Sequence, residues 1–138
     1  MERWTIAKLL SGRFRLHIQF GGRPFWCMFD YAVTPVPEVE AVAIVLAAGP
    51  DLVSAEWFPH LRRGIVRGLA EAEKRGRRLI GVRVTVRKFY EHPTDTTAYG
   101  CERYGRSFAH DLVWHQAVPA AEQDRPNHGV PHEKWTRS

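Results

Sequence analysis

The chain has 138 residues, of which 44% are apolar and 25% charged; this is a globular mix with enough residues for one core and too few for several domains. No run of about 18 apolar residues occurs, which excludes a membrane-spanning helix, and Met1 to Leu10 lacks the basic-then-apolar order of a secretory leader, so the expected location is the cytoplasm. The net charge of +5 is unevenly placed: Ser54 to Tyr90 carries ten Lys or Arg against three Glu, while the rest of the chain carries ten against twelve acidic residues. A basic excess gathered in one structural unit points to a polyanion such as RNA.

Taken in chain order, Arg13 to Phe20 alternates without a fault, with Phe14, Leu16, Ile18 and Phe20 on one side and Arg13, Arg15, His17 and Gln19 on the other. That is the period of a half-buried strand. Gly21, Gly22 and Pro24 make a turn, and Phe25 to Val33, rich in aromatic and β-branched residues, is a second strand. Pro35 and Pro37 break it. Val39 to Ala47 is nearly continuously apolar, which predicts a central strand covered on both sides.

Gly49-Pro50 ends that strand, Ser54 is the expected N-cap of a helix, and Phe58, Leu61, Ile65, Leu69 and Ala72 recur at helical spacing up to Gly76, the expected C-cap. Pro59 is expected within the first turn or so, where its missing N–H costs least. Ile80 to Val86 alternates again, with Arg83, Thr85 and Arg87 opposite the valines. His92-Pro93 stops this strand. Asp95 or Thr94 is the expected cap of a second helix with the stripe Cys101, Tyr104, Phe108 and Leu112, and its Gly100 and Gly105 suggest close packing against a sheet.

The order β-β-β-α-β-α predicts an α+β fold: a two-layer sandwich of an about four-stranded mixed sheet, with two helices on one face and a β-α-β crossover. The domain is expected to span 1–118, followed by a flexible tail, 119–138. The uncovered sheet face would carry Arg13, Arg15, His17, Arg83 and Arg87. Phe25, Trp26, Phe29 and Tyr31 divide by alternation, Trp26 to one side and the others to the opposite one, so core packing competes with base stacking in this cluster.

The residues give no sign of catalysis. Cys27 and Cys101 read as two reduced, buried thiols, since two widely spaced cysteines make neither a disulfide framework nor a zinc motif. His110 and His115, five apart, do not share an α-helical face, and no His-Glu-x-x-His pattern occurs. His128 and His132 fall in the tail. Neither a metal nor a cofactor is expected. No serine has a triad context. His92 and Asp95 sit at a strand-to-helix step where a carboxylate can hold a turn.

Glu56-Trp57-Phe58-Pro59, then Leu61 and Gly64, then Gly81-Val-Arg-Val-Thr-Val86, then His92-Pro-Thr-Asp-Thr-Thr97 follow one another in a recognisable order. With them, the segment from about Val39 to Val113 resembles the fourth domain of translation elongation factor G and the similar domain of ribosomal protection proteins. The resemblance implies a β-α-β fold whose sheet packs on two helices. It also implies a domain whose tip loops touch RNA and protein in the decoding region of the small ribosomal subunit. Two features depart from the family pattern: the Gly-rich tip is reduced to Gly21-Gly22, and Ala98 replaces an acidic residue. No Gly-x-x-x-x-Gly-Lys-Ser/Thr loop is present to cradle a phosphate chain, which excludes GTP hydrolysis and nucleotide binding of that kind in this chain.

The expectation is therefore a non-enzymatic domain that binds structured RNA or the ribosome through Arg62, Arg63, Arg67, Arg77, Arg78, Arg83 and Arg87, with His92 and Asp95 forming a structural step and no membrane partner. The alternative is a protein-interaction or homodimerisation module that keeps only the fold, using the aromatic strand or an open sheet edge.

Overall fold

A computed structural model describes residues 2–20, 23–47, 49, 51–92 and 94–123, with side chains outside 16–25, 122 and 123. Gly21-Gly22, Pro93, the side chains of Leu16, His17, Ile18, Gln19, Phe20 and Phe25, whose expected sides therefore go untested, and the predicted tail from 124 onward, with His128, His132 and Trp135, lie outside what is described.

The described residues form seven strands: β1 (Glu2–Thr5), β2 (Leu10–Phe20), β3 (Arg23–Pro35), β4 (Val42–Leu46), β5 (Arg77–Leu79), β6 (Val82–Tyr90) and β7 (Val118–Pro119). They are joined by helices α1 (Leu52–Lys74), α2 (Ala98–Asp111) and α3 (Ala120–Gln123), with a π-helical turn, Leu112–Gln116, continuing α2. The main sheet runs β2-β3-β6-β4, with β4 parallel to β6 and the other pairs antiparallel. This is the expected mixed four-stranded sheet with its β-α-β crossover. α1 packs on β4 and β6, α2 packs on β3, and the two helices pack on each other, so both cover one face.

Between the layers lies a core of Phe29, Val33, Val82, Val84 and Val86 from the sheet and Leu61, Ile65, Tyr104 and Phe108 from the helices. Phe29 stands at its centre, with the rings of Phe14, Phe89 and Phe108 at 5.4, 6.5 and 5.2 Å. Cys27 and Cys101 are free, buried and adjacent; burial, then the Cys101 sulfur, pushes the Cys27 thiol well above its ordinary pKa, which keeps it protonated and unreactive.

Several expectations are revised. β4 is an edge strand, not a central one: Ala43 and Val45 are exposed, and its apolar run is buried on only one side, at Ile44. α1 is capped by Asp51, whose carboxylate accepts from Ser54 N at 2.7 Å. Ser54 lies inside the helix and is 1% exposed; its hydroxyl accepts from the backbone N–H of Phe89 at 2.9 Å, tying α1 to β6. Ser54→Ala leaves that buried N–H without a partner, and the expected loss is about 1–3 kcal/mol in urea denaturation. An unchanged midpoint would mean that the bond contributes nothing.

Because the helix starts early, Pro59 falls two turns in rather than near the first. It sits on the exposed side, where the Ala55 carbonyl it leaves unpaired can face water. α2 is capped by Thr97, whose hydroxyl accepts from Gly100 N at 3.0 Å, and not by Thr94 or Asp95. Gly76, at φ +100°, follows α1 as expected of a C-cap. Gly105 packs against α1 rather than the sheet: a Cβ there would lie 2.9 Å from Ile65 N.

A second sheet, β5-β1-β7, has no counterpart among the elements expected from the sequence. Val118–Pro119, at the expected start of the flexible tail, pairs with Trp4 and Thr5, and α3 packs on β1. No helix among the described residues is long and apolar enough to cross a membrane.

Candidate nucleic-acid interface

The pairing register lays out the sheet face that the helices leave open. Phe14, Phe29 and Val33 point to the core, so Ser11, Arg13 and Arg15 of β2 and Trp26, Met28, Asp30 and Ala32 of β3 point away from it. On β6 the same logic sends Arg83 and Thr85 outward. The ladder then shifts between Asp30 and Tyr31, leaving Arg87 without an opposite residue. That bulge buries both Val86 and Phe89 and turns Arg87 and Lys88 outward together. Arg15 and Tyr90 therefore flank Met28, while Arg13 and Lys88 flank Asp30.

One carboxylate sits among these cations. Arg13 Nε donates to Asp30 Oδ1 at 2.7 Å and another guanidinium nitrogen to the Tyr90 hydroxyl at 2.9 Å; that hydroxyl donates to Asp30 Oδ2 at 2.7 Å. The hydrogen bond from Arg13 holds the Asp30 carboxyl below its ordinary range, and the bond to Asp30 raises the Tyr90 phenol. Arg13 and Lys88 also lie over the Tyr90 ring, 4.8 and 5.3 Å from its centroid. Arg15, Arg83 and Arg87 are exposed and have no carboxylate within ion-pair reach among the described residues.

The seven arginines expected to bind RNA do not form one patch. Arg83 and Arg87 lie on the open sheet face. Arg62, Arg63 and Arg67 are exposed on α1, in the opposite layer, and Arg63 and Arg67 share Glu102 at 3.9 and 3.2 Å. Arg78 pairs with Glu73 at 3.4 Å. Arg77 lies over both the Trp4 and Trp114 rings, 3.7 and 4.3 Å from their centroids, and reaches the Val113 carbonyl at 3.3 Å. It is a structural clasp between the small sheet and the end of α2. Arg13, Arg15 and Lys88 complete the open face.

His92 and Asp95 form a turn. His92 Nδ1 accepts from the backbone N–H groups of Thr94 and Asp95 at 3.3 and 3.2 Å, which places the ring proton on Nε2. Thr96 Oγ1 accepts from His92 N at 2.8 Å and donates to the Trp26 carbonyl at 3.3 Å, while Trp26 N donates to the Asp95 carbonyl at 3.3 Å. The step is thereby fastened to β3. Its histidine holds the turn with its ring nitrogen, a role that sequence reasoning gives to the carboxylate.

The π-helical turn alters one further reading. His110 and His115 line the same open cavity of about 510 Å³, with Arg103, Arg106 and Trp114; the wider turn after Asp111 brings residues five apart nearer to one side than an α-helix does. Glu71 accepts from His110 at 2.9 Å and from Arg106 at 2.6 Å; these bonds hold its carboxyl below the ordinary range and offset the cations there. No three His, Cys, Asp or Glu among the described residues are grouped to hold a metal ion.

No family model matches the chain, and no curated protein does. Solved structures share its fold. A crystal structure of a Thermus thermophilus protein is similar over 88% of this chain, with a TM-score of 0.58 and 16% identity. The chain spans 17% of that longer chain's length, and the likeness is one of fold.

Proposed function

We propose that the protein is a non-catalytic binding domain, similar to the fourth domain of elongation factor G, that takes structured RNA, ribosomal RNA included, on its basic sheet face. The observation that carries this reading is the contrast between the two layers. On the helical layer Arg63 and Arg67 share the one carboxylate of Glu102, and Arg62 alone of the three has no ion-pair partner among the described residues, whereas Arg15, Arg83 and Arg87 on the open face all lack one. Unpaired cations on a scaffold of paired strands neutralise phosphates; this gives affinity with little sequence choice.

Two further features support the resemblance. The order β4, α1, β6, step, α2 follows the family's order, with the short β5 inserted between α1 and β6. The step into the last helix, which the family's pattern also has, is bonded to β3 through Trp26, Asp95 and Thr96. Edge pairing with a second copy along β2 is discouraged by Arg13 and Arg15, since charged residues on an edge strand oppose strand addition.

Binding to ribosomes and to a generic structured RNA, measured across a salt series, tests the reading. About six phosphate contacts give a log–log slope near −4, taking the single-strand coefficient. A preference for ribosomes at equal salt places the protein in translation. A slope near zero overturns RNA binding, and a concentration-dependent dimer would then favour the protein-interaction reading.

A further inference from the structure

The open face is more than a charged surface, and an aromatic ring on it that does not belong to the core narrows the kind of RNA that fits. Among the described aromatic side chains of β3, Phe29 and Tyr31 belong to the core or pack on it, and Trp26 does neither. Trp26 lies on the open face, one same-side step along β3 from Met28, which Arg15 and Tyr90 flank. Its backbone is pinned on both sides by the bonds to Asp95 and Thr96, and its ring stands 6.0 Å from the His92 ring. Such anchoring presents the indole from a rigid element. The ring of Tyr90, also on this face, already lies under Arg13 and Lys88.

We propose that this face takes unpaired, single-stranded RNA, with one base stacked on Trp26 and the adjoining phosphates on Arg15, Arg87 and Lys88. The inference rests on the RNA-binding reading and deepens it. A base inside a duplex has both π-faces occupied by its neighbours and cannot reach the indole, whereas an unstacked base can. An aromatic platform beside a cationic track is the arrangement by which sheet surfaces hold single strands, and it tolerates any base.

The test uses fluorescence anisotropy with a labelled oligoribonucleotide, alone and annealed to its complement, against wild type, Trp26→Ala and Trp26→Phe. The single strand is expected to bind more tightly than the duplex. Trp26→Ala weakens single-strand binding about tenfold or more, Trp26→Phe restores most of it by supplying a π-face, and duplex binding does not change. Thermal melts confirm that both variants fold; if Trp26→Ala does not, the Trp26→Phe comparison and the strand-to-duplex ratio decide. Equal binding of strand and duplex, or an unchanged single-strand affinity in Trp26→Ala with the salt dependence intact, overturns the single-strand proposal and leaves the RNA reading standing. Absence of any salt-sensitive binding overturns both.

Discussion

Gly64→Ala is expected to lower the unfolding free energy by about 3 kcal/mol or more, at the upper end of overpacking costs. On intrinsic propensity alone the change should stabilise α1 by about 1 kcal/mol, because alanine is the better helix former. The sign is reversed by what the new methyl group meets. A Cβ at position 64 would lie 2.7 Å from the Glu102 carbonyl carbon and closer still to its oxygen, and both belong to the backbone of α2, which cannot rotate away. Gly68 faces the same helix, with a Cβ there 2.7 Å from the Arg106 carbonyl oxygen, and Gly105 faces back toward α1. The helices are in backbone contact along this seam, and separating them would loosen Leu61, Ile65 and Phe108 at once. Chemical denaturation of Gly64→Ala beside Val66→Ala, an exposed site on the same helix, checks the effect. A Gly64→Ala protein as stable as wild type, or more so, would show that the helices stand further apart than described.

The second large effect concerns binding. Replacing Arg15, Arg83 and Arg87 together by Gln is expected to weaken RNA binding about a hundredfold at 0.1 M salt and to make the log–log slope shallower by about 2, the share of three phosphate contacts. The matching helical triple, Arg62, Arg63 and Arg67 to Gln, removes the same formal charge. It is expected to weaken binding far less, because Arg63 and Arg67 already share Glu102 and only Arg62 lacks an ion-pair partner among the described residues. Equal total charge with unequal effect separates a defined surface from a general attraction of a basic protein to RNA. If the helical triple causes the larger loss, the interface lies on α1, and the sheet face is only solvated.

Much of this arrangement could be read from the residues, and the failures have physical causes. The alternation in β6 and the stripe of α1 carry enough periods to fix both the element and its buried side, the alternation in β2 fixes the strand, with Phe14 packed on the core, and Cys101, Tyr104, Phe108 and Leu112 of the second helical stripe are all buried. β1, β5 and β7 are too short to show a period, so the small sheet was invisible. The apolar run that becomes β4 recorded hydrophobicity but not neighbours, and an edge position looks the same in sequence as a central one. That the basic side chains are many is legible in the sequence; which of them share a surface is not. Nothing local says that Arg77 will lie over two tryptophans, or that a bulge will turn Arg87 and Lys88 to the same side. The placement of His110 and His115 on one cavity goes with a π-helical turn, which an α-helical reading leaves out.

The small sheet has one consequence for how this unit holds together. Its middle strand, β1, opens the described chain, and β7, near the described end, lies antiparallel beside it, with Thr5 opposite Val118. The first and the last strand of the described fold therefore run side by side, roughly 5 Å apart. Freeing β1 would leave both β5 and β7 without a partner, so the small sheet stands or falls with the strand nearest the start of the chain.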